Sequence, residues 1–140
     1  QYPTAHNVDT PTVGEALKTL MGENGWKQLD SWVANANKIA PTIVGGSKKH
    51  GGPDLGPVRA RKAWAELGVN GNGVADVAPT PDFIGAPKLT KEMIAHIQGF
   101  PLSWTFGKKK TAACRMIGNA FPPPVACAVG NEIRRCLENG

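Results

Sequence analysis

No run in this 140-residue chain approaches the roughly 18 apolar residues of a membrane span. Its opening, Gln1-Tyr2-Pro3, lacks the charged-then-apolar order of a secretory leader. The expectation is a soluble, cytoplasmic protein, and a start on Gln1 in place of Met reads as a fragment or a processed chain. Cysteine is scarce. Cys114, Cys127 and Cys136 form no Cys-x-x-Cys pair, and an odd number argues against a closed disulfide framework. No metal ligand set emerges, no internal repeat is visible, and the Gly-x-x-x-x-Gly-Lys spacing of a phosphate loop is missing.

What is there is placed unevenly. The formal net charge is +5, but Lys48, Lys49, Arg59, Arg61 and Lys62 stand against Asp54 alone between Gly45 and Lys62. Lys108, Lys109, Lys110 and Arg115 form a second cluster with no acid between them. The rest of the chain is therefore acidic on balance. A basic minority in an acidic chain is the pattern of a local polyanion contact, because each phosphate contacted releases condensed counterions. For Lys108 to Lys110 alone, a solvated loop serving solubility is the equal alternative.

Helical signals open the chain. Thr12 and Glu15 have capping-box spacing, and Val13, Ala16, Leu17 and Leu20 fall on one face, with Gly22 as a stop. A second helix is expected over 26–37, with Trp26, Leu29, Trp32, Val33 and Ala36 as its core stripe. Residues 39–44, a short β-branched run broken by Pro41, predict an edge strand or a strand leading into a loop. Glycines at 45, 46, 51, 52 and 56 follow, with Ser47, Lys48, Lys49 and His50 between them. Such a backbone can approach a ligand closely while its side chains donate; a plain linker is the alternative. A helix over 57–67 and a tight turn at Gly71-Asn72-Gly73 come next. Residues 78–87 hold three prolines and no helical period.

Further on, Thr90 can cap a helix running to Gln98, with Leu89 and Ile94 as a hydrophobic staple. A last helix from Pro123 or Pro124 carries Val125, Ala128, Val129, Ile133, Cys136 and Leu137 along one side. Between them lie Gln98-Gly99-Phe100-Pro101-Leu102-Ser103-Trp104 and then Met116-Ile117-Gly118-Asn119-Ala120-Phe121-Pro122-Pro123-Pro124. On physics alone the second block is a helix start, with Asn near the cap and prolines in the first turn.

The two blocks, in this order, resemble the C-terminal part of DNA cytosine-5 methyltransferases, most strongly over 89–137 and more loosely over 40–76. The resemblance implies residues 1–88 as a DNA-reading region, 89–111 as the Gln-Gly-Phe-Pro helix with its loop, and 112–140 as a segment returning to a catalytic domain. It implies an α+β unit of short strands and helices whose final helix packs on that catalytic α/β domain. Thr42, Ile43, Gly45, Gly46, Ser47, Lys48, Lys49, His50 and Arg59 would contact double-stranded DNA, while Asn119, Ala120 and Phe121 would approach S-adenosylmethionine. Glu92, Met93 and His96 depart from the Arg-Glu and Arg positions many members carry.

No catalytic residue is nominated. Methylating C5 of cytosine requires a thiolate to attack C6, which the family supplies from a Pro-Cys pair. Here Ala113, Ala126 and Arg135 precede the three cysteines, and the family's Glu-Asn-Val segment and glycine-rich cofactor loop are missing too. The implied function is the recognition half of such an enzyme, inactive alone. It would be partnered by a catalytic domain or large subunit, or self-associate without one. A stand-alone DNA-binding module is the alternative.

Overall fold

Thr12 sets the start of the first helix, α1 (Val13–Met21). Its hydroxyl accepts from Glu15 N, while its own N–H donates to Glu15 Oε2 at 2.8 Å. The first helical N–H groups also need acceptors. Val13 and Gly14 donate to the carbonyls of Lys38 and Ala36, at 3.0 and 2.8 Å. Those acceptors lie just beyond α2 (Leu29–Asn35), so the two helices are tied at their ends. Gly14 permits the crossing: a β-carbon there would lie 2.5 Å from the Val33 carbonyl oxygen.

The coordinates are a computed structural model that describes residues 10–44 and 53–138. Four further helices follow: α3 (Val58–Glu66), α4 (Lys91–Ile97), α5 (Lys110–Asn119) and α6 (Pro123–Glu138). Among the described residues the only β pairing is an isolated parallel bridge between Ala75 and Thr90. The expected α+β mixture is thus predominantly helical. The 39–44 run forms no strand; Pro41 denies it a donor, and Ile43 packs into the core at 7% exposure.

Trp26 lies outside α2, contrary to expectation, because Gly25 turns the chain with φ +73° just before it. Its ring still reaches the core. Trp26 Nε1 donates to the Phe83 carbonyl at 2.9 Å, and its ring meets both Trp32 and Phe83 at 6.2 Å between centroids. Trp32 Nε1 donates to the Gly68 carbonyl at 3.0 Å. Two indole donors thus fix the proline-rich 78–87 segment and the end of α3 against the first helix pair. Trp64, fully buried, is different: its Nε1 has no acceptor.

One hydrophobic cluster runs from Val13, Leu17 and Met21 through Trp32, Trp64, Leu67 and Val69 to Leu89, Met93, Ile94, Cys114 and Ile117. It draws on all three of the segments expected from the sequence. The stretch from Gly71 to Thr90 is held by backbone bonds, with Leu55 N donating to Gly71 O, Asn70 N to Pro87 O and Ala75 N to Leu89 O. The 16-residue α6 contributes no buried residue.

Candidate nucleic-acid interface and cofactor edge

Thr90 caps α4, accepting from Met93 N at 3.2 Å, and Leu89 and Ile94 are both buried as a staple requires. The helix ends at Gly99, whose φ of +92° only glycine adopts without strain. The chain then turns outward through an aromatic group. Phe100 packs on Trp104 and edge-on against Phe106, at 5.8 and 5.2 Å between centroids, while Trp104 remains largely exposed. Lys91 Nζ donates to the carbonyls of Phe106 and Gly107, which pins the far end of this loop.

The structure brings the two sequence blocks together. Gln98 Nε2 donates to the Ala120 carbonyl at 3.1 Å. A β-carbon at Gly99 would stand 2.5 Å from Cδ of Pro124, in the first turn of α6. The pair Gln98-Gly99 therefore clasps the link between α5 and α6. Asn119 does not cap α6; it is the last residue of α5, with Ala120 extended after it.

Helix α5 was not anticipated. Its signal is the set Ala113, Cys114 and Ile117, which are buried and recur at helical spacing behind a lysine run. Lys110 belongs to this helix and is no free loop charge: its Nζ contacts Asp76 at 2.9 Å and donates to the Val74 carbonyl. Cys114 lies deep in this packing, where burial pushes its thiol above the ordinary cysteine range.

Around the α5–α6 link, Asn119 and Phe121 are exposed, the latter at 62%, and Ala120 is half-buried with its carbonyl occupied by Gln98. An exposed amide and an exposed aromatic ring two residues apart are the side-chain types that suit the edge of a nucleoside-containing cofactor. They do not enclose one. Past them, α6 exposes Val125, Val129, Ile133 and Leu137, while Arg134, Arg135, Glu132 and Glu138 pair along its polar side.

Of the residues expected to contact DNA, Thr42 is exposed and Ile43 is buried, so Ile43 serves the core with its side chain. Gly45, Gly46, Ser47, Lys48, Lys49 and His50 lie outside the described residues. The chain re-enters at Pro53 and leads into α3, where Arg59 and Lys62 are exposed. Arg61 is turned inward, 3.7 Å from Asp54 and against Gly71. An open cleft of about 410 Å³ is lined by Asn70, Val77, Pro79, Phe83, Pro87 and Lys88 among others. Among the described residues no group of His, Cys, Asp or Glu could hold a metal ion, and no helix is long and apolar enough to cross a membrane.

Comparisons with known proteins agree on one family. A model of the C-5 cytosine-specific DNA methylases matches residues 4–135. The type II methyltransferase M.NaeI of Lentzea aerocolonigenes is 61% identical over 130 residues, covering 91% of this chain and 32% of that protein. M.NgoMIV of Neisseria gonorrhoeae is 42% identical over 141 residues, covering 99% of this chain and 44% of that protein. The mouse DNA (cytosine-5)-methyltransferase 1 is 49% identical over 43 residues, 31% of this chain and 3% of its own length. No solved structure matches. The chain thus spans less than half the length of these relatives. With a family model that runs across nearly its whole length, and with both sequence blocks clasped into one unit, the chain belongs to the C-5 cytosine-specific DNA methylase family.

Proposed function

We propose that this chain is the DNA-recognition and cofactor-pocket-completing half of a cytosine-5 DNA methyltransferase, and that it transfers no methyl group alone. The observation that carries the reading is the bare helix α6. A 16-residue helix with no buried residue and a stripe of Val125, Val129, Ile133 and Leu137 is half of an interface. The missing half is a catalytic α/β domain or large subunit that brings the thiolate.

On this reading Thr42, residues 45–50 and Arg59 hold duplex DNA so that the target cytosine can leave the stack, a step the chemistry requires. Asn119, Ala120 and Phe121 form one wall of the pocket for S-adenosylmethionine, which supplies the methyl group when bound. The Gln98 to Ala120 bond ties that wall to the Gln-Gly-Phe-Pro helix, whose Met93 and Ile94 share a core with the DNA-reading part. The three cysteines support the division of labour. Cys114 is buried with a raised pKa, and Cys127 and Cys136 sit on exposed turns of α6. Without its partner the α6 stripe promotes self-association.

Mixing the chain with a separately produced polypeptide bearing a family Pro-Cys thiolate tests this, with transfer of labelled methyl groups to duplex DNA as the readout. Transfer should appear only in the mixture. It should disappear again with V129D/I133D, whose melting temperature stays that of the parent because both positions are exposed. Transfer by the chain alone overturns the proposal, and DNA binding without restored transfer favours the stand-alone module.

A further inference from the structure

Cationic side chains from three separate segments meet at the turn that follows α3. A β-carbon at Gly71 would lie 3.1 Å from Arg61 Cγ, and one at Gly73 would lie 3.3 Å from Lys88 Nζ. Lys110 reaches the next residue, donating to the Val74 carbonyl at 3.2 Å. These cations divide into two kinds. Arg61 and Lys110 each face a carboxylate, Asp54 and Asp76, and hold the turn against α3 and α5. Lys88 is exposed and its ammonium has no acceptor among the described residues. Lys108 and Lys109, two residues and one residue ahead of the Lys110 strut, are likewise exposed and without acceptors among the described residues, and no acidic residue stands in the first turn of α5.

The struts fix where the free lysines stand. Because Lys110 is anchored on Val74, and consecutive α-carbons lie about 3.8 Å apart, the main chain of Lys109 and Lys108 is confined near the turn against which Lys88 lies. Like charges gathered here repel one another, and the two carboxylates nearby are engaged with the struts. A polyanion relieves that repulsion. Solvated lysine ammoniums on long stems are point charges with no fixed fork, suited to phosphates and poor at distinguishing base edges.

We propose that Lys88, Lys108 and Lys109 form a second contact to the backbone phosphates of duplex DNA, made by residues other than the glycine-rich stretch 45–52. It rests on the reading of this chain as a DNA-gripping half. Its role is to add affinity uniformly across sequences, leaving the choice of site to other residues.

The test measures binding of the chain to a fluorescent duplex across potassium chloride concentrations. Each phosphate contact adds about 0.9 to the slope of log affinity against log salt. The K88Q/K108Q/K109Q variant should lower that slope by roughly 2 to 3, equally for duplexes with and without a target site, with its melting temperature unchanged. K88R/K108R/K109R should retain the parental slope. If the glutamine variant binds like the parent while K48Q/K49Q binds more weakly, the second contact is refuted and the DNA-gripping reading stands. If the parent chain shows no affinity for duplex DNA at the lowest salt, both fall together.

Discussion

Replacing Gly99 by Ala tests the clasp between the two sequence blocks, and the structure sets its cost. The residue has φ +92°, where a side chain costs about 1–3 kcal/mol in backbone strain. The added β-carbon would stand 2.5 Å from Pro124 Cδ and 2.7 Å from Cγ. A proline ring in the first turn of a helix cannot swing aside, so α6 itself must shift, for a further cost of about 1–3 kcal/mol typical of overpacking. Gly85 supplies the control. Its φ is +104° and nothing lies within 4 Å of an added β-carbon, so Ala there carries the backbone cost alone. Any gain from a stiffer unfolded chain is common to both variants. Thermal melting should therefore place G99A below G85A by about 1–3 kcal/mol, or roughly 3–10 °C for a domain of this size. Coincident melting of the two variants would refute the clasp as a tight contact.

Two further outcomes follow from the core and the first helix cap. W32F should destabilise more than W64F by about 1–2 kcal/mol in denaturant titration. Trp32 gives up a donor to the Gly68 carbonyl, whereas Trp64 loses an N–H that has no acceptor; equal losses would mean that the Gly68 bond contributes nothing. Glu15 has its pKa lowered by hydrogen bonds from the Thr12 backbone N–H and hydroxyl. A depressed folded pKa gives stability that is present above the unfolded value, roughly 4.3, and lost as pH falls through the folded one. Melting followed from pH 6 downwards should show that acid loss in the parent, with a shallower slope in E15Q; parallel curves would refute it.

The starts of α1 and α4 were legible because a cap is a local device. Thr12 with Glu15, and Thr90 with the Leu89 and Ile94 staple, lie within a few residues of the ends they set. Helix α5 was not legible. Its buried triplet of Ala113, Cys114 and Ile117 is narrow, and Lys108 to Lys110 before it read equally as a polyanion contact or a solvated loop, though Lys110 is drawn in by Asp76 and Val74. The 39–44 run reads as a strand by composition, but pairing is a tertiary matter, and its Ile43 found the helical core instead. At the candidate site, the residue types could be read from the sequence, yet the contact of Gln98 with Ala120 across 22 positions could not. Nor could sequence alone separate the struts Arg61 and Lys110 from the free lysines beside them.

The shared core limits how this family member can be re-engineered. Splicing residues 1–88 from a relative into this chain would keep Asn70 N with its Pro87 acceptor but divide Ala75 N from its Leu89 acceptor. It would also pair a foreign Trp26, Trp32 and Trp64 with the native Leu89, Met93 and Ile117. A junction at 88 therefore falls inside one packed core, and an exchange that spares this core must carry Leu89, Met93 and Ile117 along with the three tryptophans.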